Sequence, residues 1–262
     1  MIIAIPTSGR AKTIITHQYI PEEWRNKTRV ICPPDEVKAY TRACPGFEVV
    51  PCPCDRLSPK LQWIAERYRR HRYVFMPNDD AKLFRRKKMS SPKLTPMLGD
   101  TVALERMWRM LESRLANDNV AWVALSNRSG NNHKKTGYDI AGRSYGFWGV
   151  DTHILNRHGL RFDVIETMQD FYMQLALLTR GYRTYVYYRW CWDQRGGSNS
   201  AGGCSVYRTP HMQETSVAKL QRDFPDFVTP VQRKTKTGWF NGETRTDVRI
   251  QWKQALKSGL RS

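Results

Sequence analysis

The stretch Tyr73–Arg86 reads YVFMPNDDAKLFRR and combines the features that decide the fold. An apolar run ends at Pro77, two adjacent carboxylates (Asp79 and Asp80) follow at once, and a group of cations begins at Lys82. Short apolar runs closed by proline are typical of buried strands. In an open α/β sheet, ligands bind beyond the carboxyl ends of the strands. The stretch therefore predicts a strand that ends at a binding site.

Strand and helix signals alternate on both sides of this stretch. Apolar or β-branched runs at 2–6, 28–32, 47–51 and 120–125 predict further strands. Between them, residues 58–71 and 100–116 carry apolar positions at helical spacing, and Asp100 is the expected N-cap of the second helix. Strands that alternate with helices predict an α/β fold with a mixed, mainly parallel sheet flanked by helices.

The composition indicates a globular protein. Its 262 residues are 40% hydrophobic, enough for a sizeable core. We expect one main domain at 1–205 and a basic C-terminal extension at 206–262 that packs on it. No apolar run reaches the roughly 18 residues of a membrane span, and the N-terminus lacks the pattern of a signal peptide. Six cysteines are expected to be free thiols, with a zinc site as the alternative.

The charge balance favours a polyanionic partner. Lys and Arg number 43 against 24 acids, which gives a formal net charge of +19. Residues 81–99 contain six of these cations and no acid, and the C-terminal tail places Trp239, Phe240 and Trp252 among further cations. Aromatic side chains among cations suit base stacking combined with phosphate contact, although each Trp also suits a core position. Nucleic acid is the partner that this pattern predicts.

Four other segments carry candidate chemistry, and each has a structural alternative. The loop PTSGR follows the first strand, and Asn78–Asp80 either bind a divalent cation or form a turn. Glu166 and Asp170 either stabilise a helix start or supply a general base. The glycine-rich segment 196–208 is either a phosphate-covering lid or a surface loop. His211 is either a third metal ligand or a surface residue.

Taken in order, these segments resemble a known family. IPTSGR at the N-terminus, an Asp-rich motif at a strand end, QDF opening a helix, and NSAGGCSVYRT followed by FPDFV are similar to the TET-associated glycosyltransferases of bacteriophages. The resemblance covers nearly the whole chain. It implies a GT-A-like fold, Rossmann-like in its sheet, and an enzyme in the cytoplasm of the infected bacterial host.

The resemblance also implies roles for individual residues. Asp170 becomes the catalytic base, and Asp80 binds Mn²⁺ or Mg²⁺; the position of His211 after the lid, and not the resemblance, makes it the expected further ligand. The donor-binding residues would be Pro6, Thr7, Ser8, Gly9, Arg10, Asn78, Asp79, Gly202, Gly203 and Arg208. Asn78 departs from the family's Asp-x-Asp pattern, so the expected metal site has one charge less.

The implied reaction moves a sugar from a UDP-sugar to the hydroxymethyl group of 5-hydroxymethylcytosine in double-stranded phage DNA, with inversion. The base is expected to leave the stack. The expected DNA and acceptor residues are Arg85, Arg86, Lys87, Lys88, Tyr145, Phe147 and Trp148, the three aromatics being core residues in the alternative. Two other functions fit the charge pattern: a non-catalytic basic DNA-binding protein and a metal-dependent nuclease.

Overall fold

A computed structural model describes residues 1–131, 133–194, 203–234 and 244–261. Within these ranges, one large sheet has the strand order β3-β2-β1-β4-β9-β7-β10-β5-β6, and β8 pairs with β10. Its strands are β1 Ile2–Pro6, β2 Thr28–Cys32, β3 Glu48–Pro51, β4 Tyr73–Phe75, β5 Ala81–Arg86, β6 Leu94–Pro96, β7 Val120–Asn127, β8 Tyr138–Ile140, β9 Trp148–Asp151 and β10 Arg183–Gln194.

Most of these strands share one direction. β1 pairs in parallel with β2 and β4, β2 with β3, and β7 with β10. The strands β5, β8 and β9 run in the opposite direction to the neighbours with which they pair. The predicted α/β class with a mixed, mainly parallel sheet is confirmed.

Helices flank the sheet and follow its strands. They are α1 Glu22–Arg25, α2 Val37–Ala43, α3 Leu57–Arg67, α4 Thr101–Leu115, α5 Arg128–Asn131, α6 Thr152–Arg157, α7 Gln169–Leu178, α8 Pro210–Asp223 and α9 Trp252–Gly259. Asp100 is the N-cap of α4, as expected, because its carboxylate accepts a hydrogen bond from the Ala103 amide at 3.1 Å. Across the described ranges, every helix is too short or too polar to traverse a bilayer.

Apolar side chains cover both faces of the sheet. One cluster packs α4 against the sheet around the fully buried Trp108, which contacts Phe75 edge-on at 5.5 Å between ring centroids. The second lies on the opposite face, where Trp122 and Trp148 stack at 4.3 Å. The strand ends therefore emerge from a closely packed scaffold, which fixes the loops that follow them.

The C-terminal segment adds α8, α9 and an antiparallel hairpin of β11 Val228–Lys234 and β12 Thr244–Ile250. One apolar cluster joins these elements to α7 through residues such as Leu175, Leu220 and Ala255. The segment thus packs on the helix that begins with Gln169. The domain boundary at 205/206 stays a prediction.

Candidate functional site

A cleft of about 380 Å³ opens beyond the carboxyl ends of β1 and β4. It is large enough for a small-molecule ligand. The loop after β1, the segment after β4, the start of α7 and the segment from Gly203 surround it, and the hairpin contributes Arg245 and Asp247. Of the predicted site residues, the cleft lining includes Pro6, Thr7, Ser8, Arg10, Asn78, Asp79, Tyr145, Trp148, Asp170, Gly203 and Arg208.

Hydrogen bonds join the two strand-end loops at the cleft floor. The Thr7 hydroxyl donates to Asp79 Oδ2 at 2.5 Å and lies 2.7 Å from the Tyr40 hydroxyl. The Tyr40 hydroxyl also accepts from the Arg10 amide at 2.9 Å. Gly9 faces away from the cleft, with a φ of 66°, and its amide donates to the Glu36 carboxylate. These hydrogen bonds fix the loop after β1 beside Asp79.

The Arg10 side chain lies over both acids. Its Nη1 is 3.0 Å from Asp79 Oδ1 and 3.3 Å from Asp80 Oδ2. Both carboxylates are buried, with 4% and 6% of their residue surface exposed. Buried carboxylates need a counter-charge, and the guanidinium supplies it here.

Asp80 has the character of a metal ligand. Its Oδ1 is buried and has no hydrogen-bond partner among the described residues. Burial and the neighbouring Asp79 charge raise the pKa of Asp80 to about 6, while Arg10 opposes the shift. A divalent cation satisfies such an oxygen, so the Asp79–Asp80 pair fits a Mn²⁺ or Mg²⁺ ion.

The structure does not gather Asp79, Asp80 and His211 into one ligand set. Within the described ranges, no three His, Cys, Asp or Glu side chains are grouped as a metal site. His211 is exposed in the first turn of α8 and does not line the cleft. His211 therefore stays a predicted metal ligand that the described residues do not bring together with Asp79 and Asp80.

Asp170 lies in the first turn of α7, half-buried at the cleft wall. Burial raises the pKa of Asp170 to about 6, and its own hydrogen bond from the Phe171 amide and the charges of Arg143 and Arg208 limit the rise. A carboxylate with a pKa near 6 is a suitable general base at neutral pH. Glu166, its sequence-level alternative, is exposed and forms an ion pair with Arg56.

The segment that was predicted as a lid is described from Gly203 onwards, and this described part contacts both other walls. The Gly203 amide donates to the Ser8 carbonyl at 3.0 Å, and Gly203 has a φ of 60°. The Tyr207 hydroxyl accepts from the Leu57 amide at 2.9 Å and donates to Cys204. Arg208 lines the cleft beside them. Gly202 lies outside the described residues.

Arg86 does not belong to a DNA-binding surface. It is 2% exposed, and its guanidinium donates to backbone carbonyls of two loops. Its neighbours differ, since Lys87 and Lys88 are exposed and Arg85 is half-buried in an ion pair with Asp100 at 2.6 Å. The carbonyls that Arg86 contacts are those of Met89, Ser91, Asn131 and Lys134. Arg86 is a structural cation, because no phosphate could reach it without unfolding the loops.

The three aromatic residues expected at the acceptor site have different environments. Phe147 is fully buried against Trp108, so the prediction that it receives a base is wrong. Trp148 borders the cleft but is only 3% exposed and stacks within the core. Tyr145 is half-buried, and its ring contacts Trp192 edge-on. Tyr145 is thus the one of the three with accessible surface for stacking.

Several cleft residues were not predicted from the sequence, and Lys60, Arg143 and Gln169 are three of them with polar side chains. Lys60 is 3% exposed, and its ammonium donates to the Thr7 carbonyl at 2.8 Å; burial lowers its pKa. Arg143 stacks on Tyr145 and on Phe171. Gln169 is 8% exposed, and its Oε1 has no partner among the described residues. Of these three, only Gln169 could have been predicted as a site residue, because it is next to Asp170 in the sequence. Lys60 lies within an ordinary helical pattern, which does not indicate a binding site.

Comparison with known proteins gives a family match and a fold match. The family model described as TET-Associated Glycosyltransferase matches residues 1–203. The mannosyltransferase PcManGT from Pyrobaculum calidifontis, solved with GDP-Man and Mn²⁺, has a TM-score of 0.51 and 18% identity over 85% of this chain. GalNAc-T7, solved with UDP, GalNAc and Mn²⁺, has a TM-score of 0.49 and 8% identity over 85% of this chain.

The chain spans 64% of the mannosyltransferase and 49% of GalNAc-T7. No match was found among curated protein sequences. At this identity, the likeness to the mannosyltransferase shows a shared fold, which is of the GT-A type.

Proposed function

The chain belongs to the TET-associated glycosyltransferase family, and from this premise we propose that it transfers a sugar from a UDP-sugar to the hydroxymethyl group of 5-hydroxymethylcytosine in phage DNA. The family makes it a glycosyltransferase that uses a nucleotide-sugar donor. One observation supports the site most directly: a single cleft is lined by Asp170 on one wall and by Arg10 and Asp79 on another.

The donor occupies the side of the cleft formed by the loop after β1. Its diphosphate is bound by Arg10 and Arg208. The absence of a side chain at Gly203 allows the segment that begins there to approach Arg10, because a Cβ atom at this position would lie 3.1 Å from the Arg10 guanidinium carbon. Asp79 and Asp80 would hold a Mn²⁺ or Mg²⁺ ion, which would supply positive charge next to the leaving diphosphate.

The acceptor occupies the side of the cleft formed by α7. Asp170 accepts the proton of the hydroxymethyl group as its oxygen attacks the anomeric carbon, and displacement from the opposite face inverts that centre. Arg143 keeps the Asp170 pKa from rising further. Tyr145 is the aromatic surface on which the extruded base stacks.

The DNA backbone follows the exposed cations at the end of β5. Arg86 joins the loop that carries Lys87 and Lys88 to the loop that carries Lys135, because it donates to carbonyls of both. At about 3.3 Å per residue, β5 separates these cations from Asp80 by roughly 20 Å. This distance is close to the width of a DNA duplex. Phosphates can therefore contact the cations after β5 while a base of the same duplex leaves the stack and enters the cleft.

The test combines a panel of UDP-sugars with duplex DNA that contains 5-hydroxymethylcytosine, followed by digestion and mass spectrometry of the nucleosides. We expect one UDP-sugar to add a hexose mass to 5-hydroxymethyl-2′-deoxycytidine and no sugar to be transferred to unmodified cytosine. DNA that contains 5-hydroxymethyluracil tests the choice of base.

The two other functions predict different products. A nuclease would shorten the duplex, and a binding protein would leave every nucleoside mass unchanged. Either result, obtained with folded protein and the complete donor panel, would overturn the proposal.

A further inference from the structure

Arg10 holds a position that a metal ion would also need. Its guanidinium contacts Asp79 and Asp80 at 3.0 and 3.3 Å, so one cation already bridges the two buried carboxylates. Asn78 stands where the family pattern has a further acid, so the pair has no third carboxylate to attract a second cation. Within the described ranges, no larger ligand group is present to hold an ion independently of Arg10.

Charge decides which cation occupies the pair. A divalent ion and a guanidinium within the same few ångströms repel each other strongly at a buried site. The Asp80 Oδ1 without a partner leaves one coordination position free, but Arg10 Nη1 contacts the other oxygen of the same carboxylate. An ion that binds both carboxylates therefore competes with Arg10 for the same oxygens.

A donor diphosphate gives Arg10 a second place to bind. Arg10 lies beside Gly203, whose amide bonds to Ser8, and Arg208 lines the same part of the cleft. A diphosphate there would contact Arg10, Arg208 and the ion, and the ion would contact the two carboxylates. The positive charges of the two arginines and the ion would then balance the negative charges of the diphosphate and the carboxylates. Without the diphosphate, the same arrangement carries an excess of positive charge.

We propose that Arg10 neutralises Asp79 and Asp80 in the donor-free protein and transfers to the donor's diphosphate when a divalent ion binds, so that ion and donor bind as one cooperative unit. This inference rests on the proposed function for the identity of the donor, but the competition between Arg10 and the ion does not depend on it. Arg10 is a positioning residue for the ion and a direct contact of the diphosphate.

The experiment measures Mn²⁺ binding by electron paramagnetic resonance, without any transfer reaction. Wild type and Arg10→Gln are titrated with Mn²⁺ alone, with Mn²⁺ and UDP, and with Mn²⁺ and inorganic pyrophosphate. Wild type should bind Mn²⁺ weakly alone and at least about tenfold more tightly with either diphosphate. Arg10→Gln should bind Mn²⁺ alone at least about tenfold more tightly than wild type, because close charge pairs couple by more than 1.4 kcal/mol.

Two variants control for general effects. Arg143→Gln removes the same charge from the same cleft, but Arg143 stacks on Tyr145 and Phe171 and has no ion pair with the two acids, so its Mn²⁺ affinity should match wild type. Asp80→Asn in the Arg10→Gln background should abolish the gained affinity. Arg10→Lys retains a charge and should give an affinity between the other two; thermal melts establish that each variant is folded.

The outcomes separate this inference from the identity of the donor. Equal Mn²⁺ affinity of wild type, Arg10→Gln and Arg10→Lys without nucleotide would overturn it, as would tight Mn²⁺ binding by wild type alone. Enhancement by pyrophosphate but not by UDP would support the role of Arg10 and contradict a uridine donor. Enhancement by neither diphosphate would overturn the coupling.

Discussion

Asp80 and Asp170 show how burial prepares two carboxylates for different tasks. The pKa of each is raised to about 6, chiefly by burial, yet Asp80 is next to another carboxylate and beneath Arg10, whereas Asp170 lies at a helix start near Arg143. The first environment suits a cation ligand. The second suits a group that takes and returns a proton.

Replacement of Asp170 by Asn tests the second assignment. The amide keeps the shape but cannot accept a proton, so turnover should fall by roughly 10²–10⁴-fold. UDP affinity should stay within a few-fold of wild type, because the proposed donor contacts lie on other walls of the cleft. Steady-state kinetics and a UDP titration measure both quantities, and Glu166→Gln, which alters an exposed acid, is the matched control. Turnover of Asp170→Asn near the wild-type value would remove the base assignment.

The pH dependence gives a second readout of the same assignment. A general base works when ionised, so kcat/KM should be maximal above the raised pKa and should fall as the pH decreases through about 6. Asp80 titrates in the same range and must also be ionised to bind a cation. A profile that stays flat down to pH ~4, where an ordinary Asp titrates, would mean that neither buried carboxylate is used.

At the residue scale, the sequence predicted those site residues that directly follow a strand, because the end of the strand determines where they lie. Thr7, Arg10 and Asp79 follow β1 and β4, and parallel neighbours place them together. The sequence did not predict the burial of Arg86 and Phe147, because the residue type alone does not show whether a cationic or aromatic side chain points into the core or into solvent. Their environments depend on loops distant along the chain.

At the element scale, local signals and tertiary contacts compete. Asp100 caps α4 as predicted, since an N-cap bond involves only its own first turn. The helical pattern was predicted to begin at Ser58, whereas α3 begins at Leu57, and the Ser58 hydroxyl donates to the Glu166 carbonyl at 3.0 Å. A contact between residues so far apart in sequence leaves no local pattern.

Strand β5 provides the element-scale prediction. Arg86→Met removes the donor of one buried and three partly buried backbone carbonyls, and a buried acceptor left unpaired costs about 1–3 kcal/mol. Chemical denaturation should therefore show a loss of several kcal/mol in the free energy of unfolding. Lys87→Met, at the exposed next position, should change it by no more than about 0.5 kcal/mol. Similar stability of the two variants would contradict the structural role of Arg86.

At the scale of the whole molecule, the alternation of strands and helices predicted the sheet but not its order. β9 inserts antiparallel between β4 and β7, and the hairpin brings Arg245 and Asp247 to the cleft from beyond the matched residues 1–203. Such placements follow from long-range packing, for which periodicity carries no information. The basic composition, in contrast, is a property of the whole surface and is visible in the sequence.

That composition yields the last prediction, which concerns DNA affinity. Each phosphate contact releases counterions, so removing one should reduce the slope of log affinity against log salt by roughly 0.9. Lys87→Gln with Lys88→Gln should therefore flatten the slope measured by fluorescence anisotropy between about 50 and 200 mM salt. Arg69→Gln with Arg70→Gln removes the same charge from exposed positions before β4, at the opposite end of that strand from the cleft, and should leave the slope unchanged. If the two double variants flatten the slope equally, the cations attract DNA through the net charge of the whole surface, and the end of β5 is not a specific site of phosphate contact.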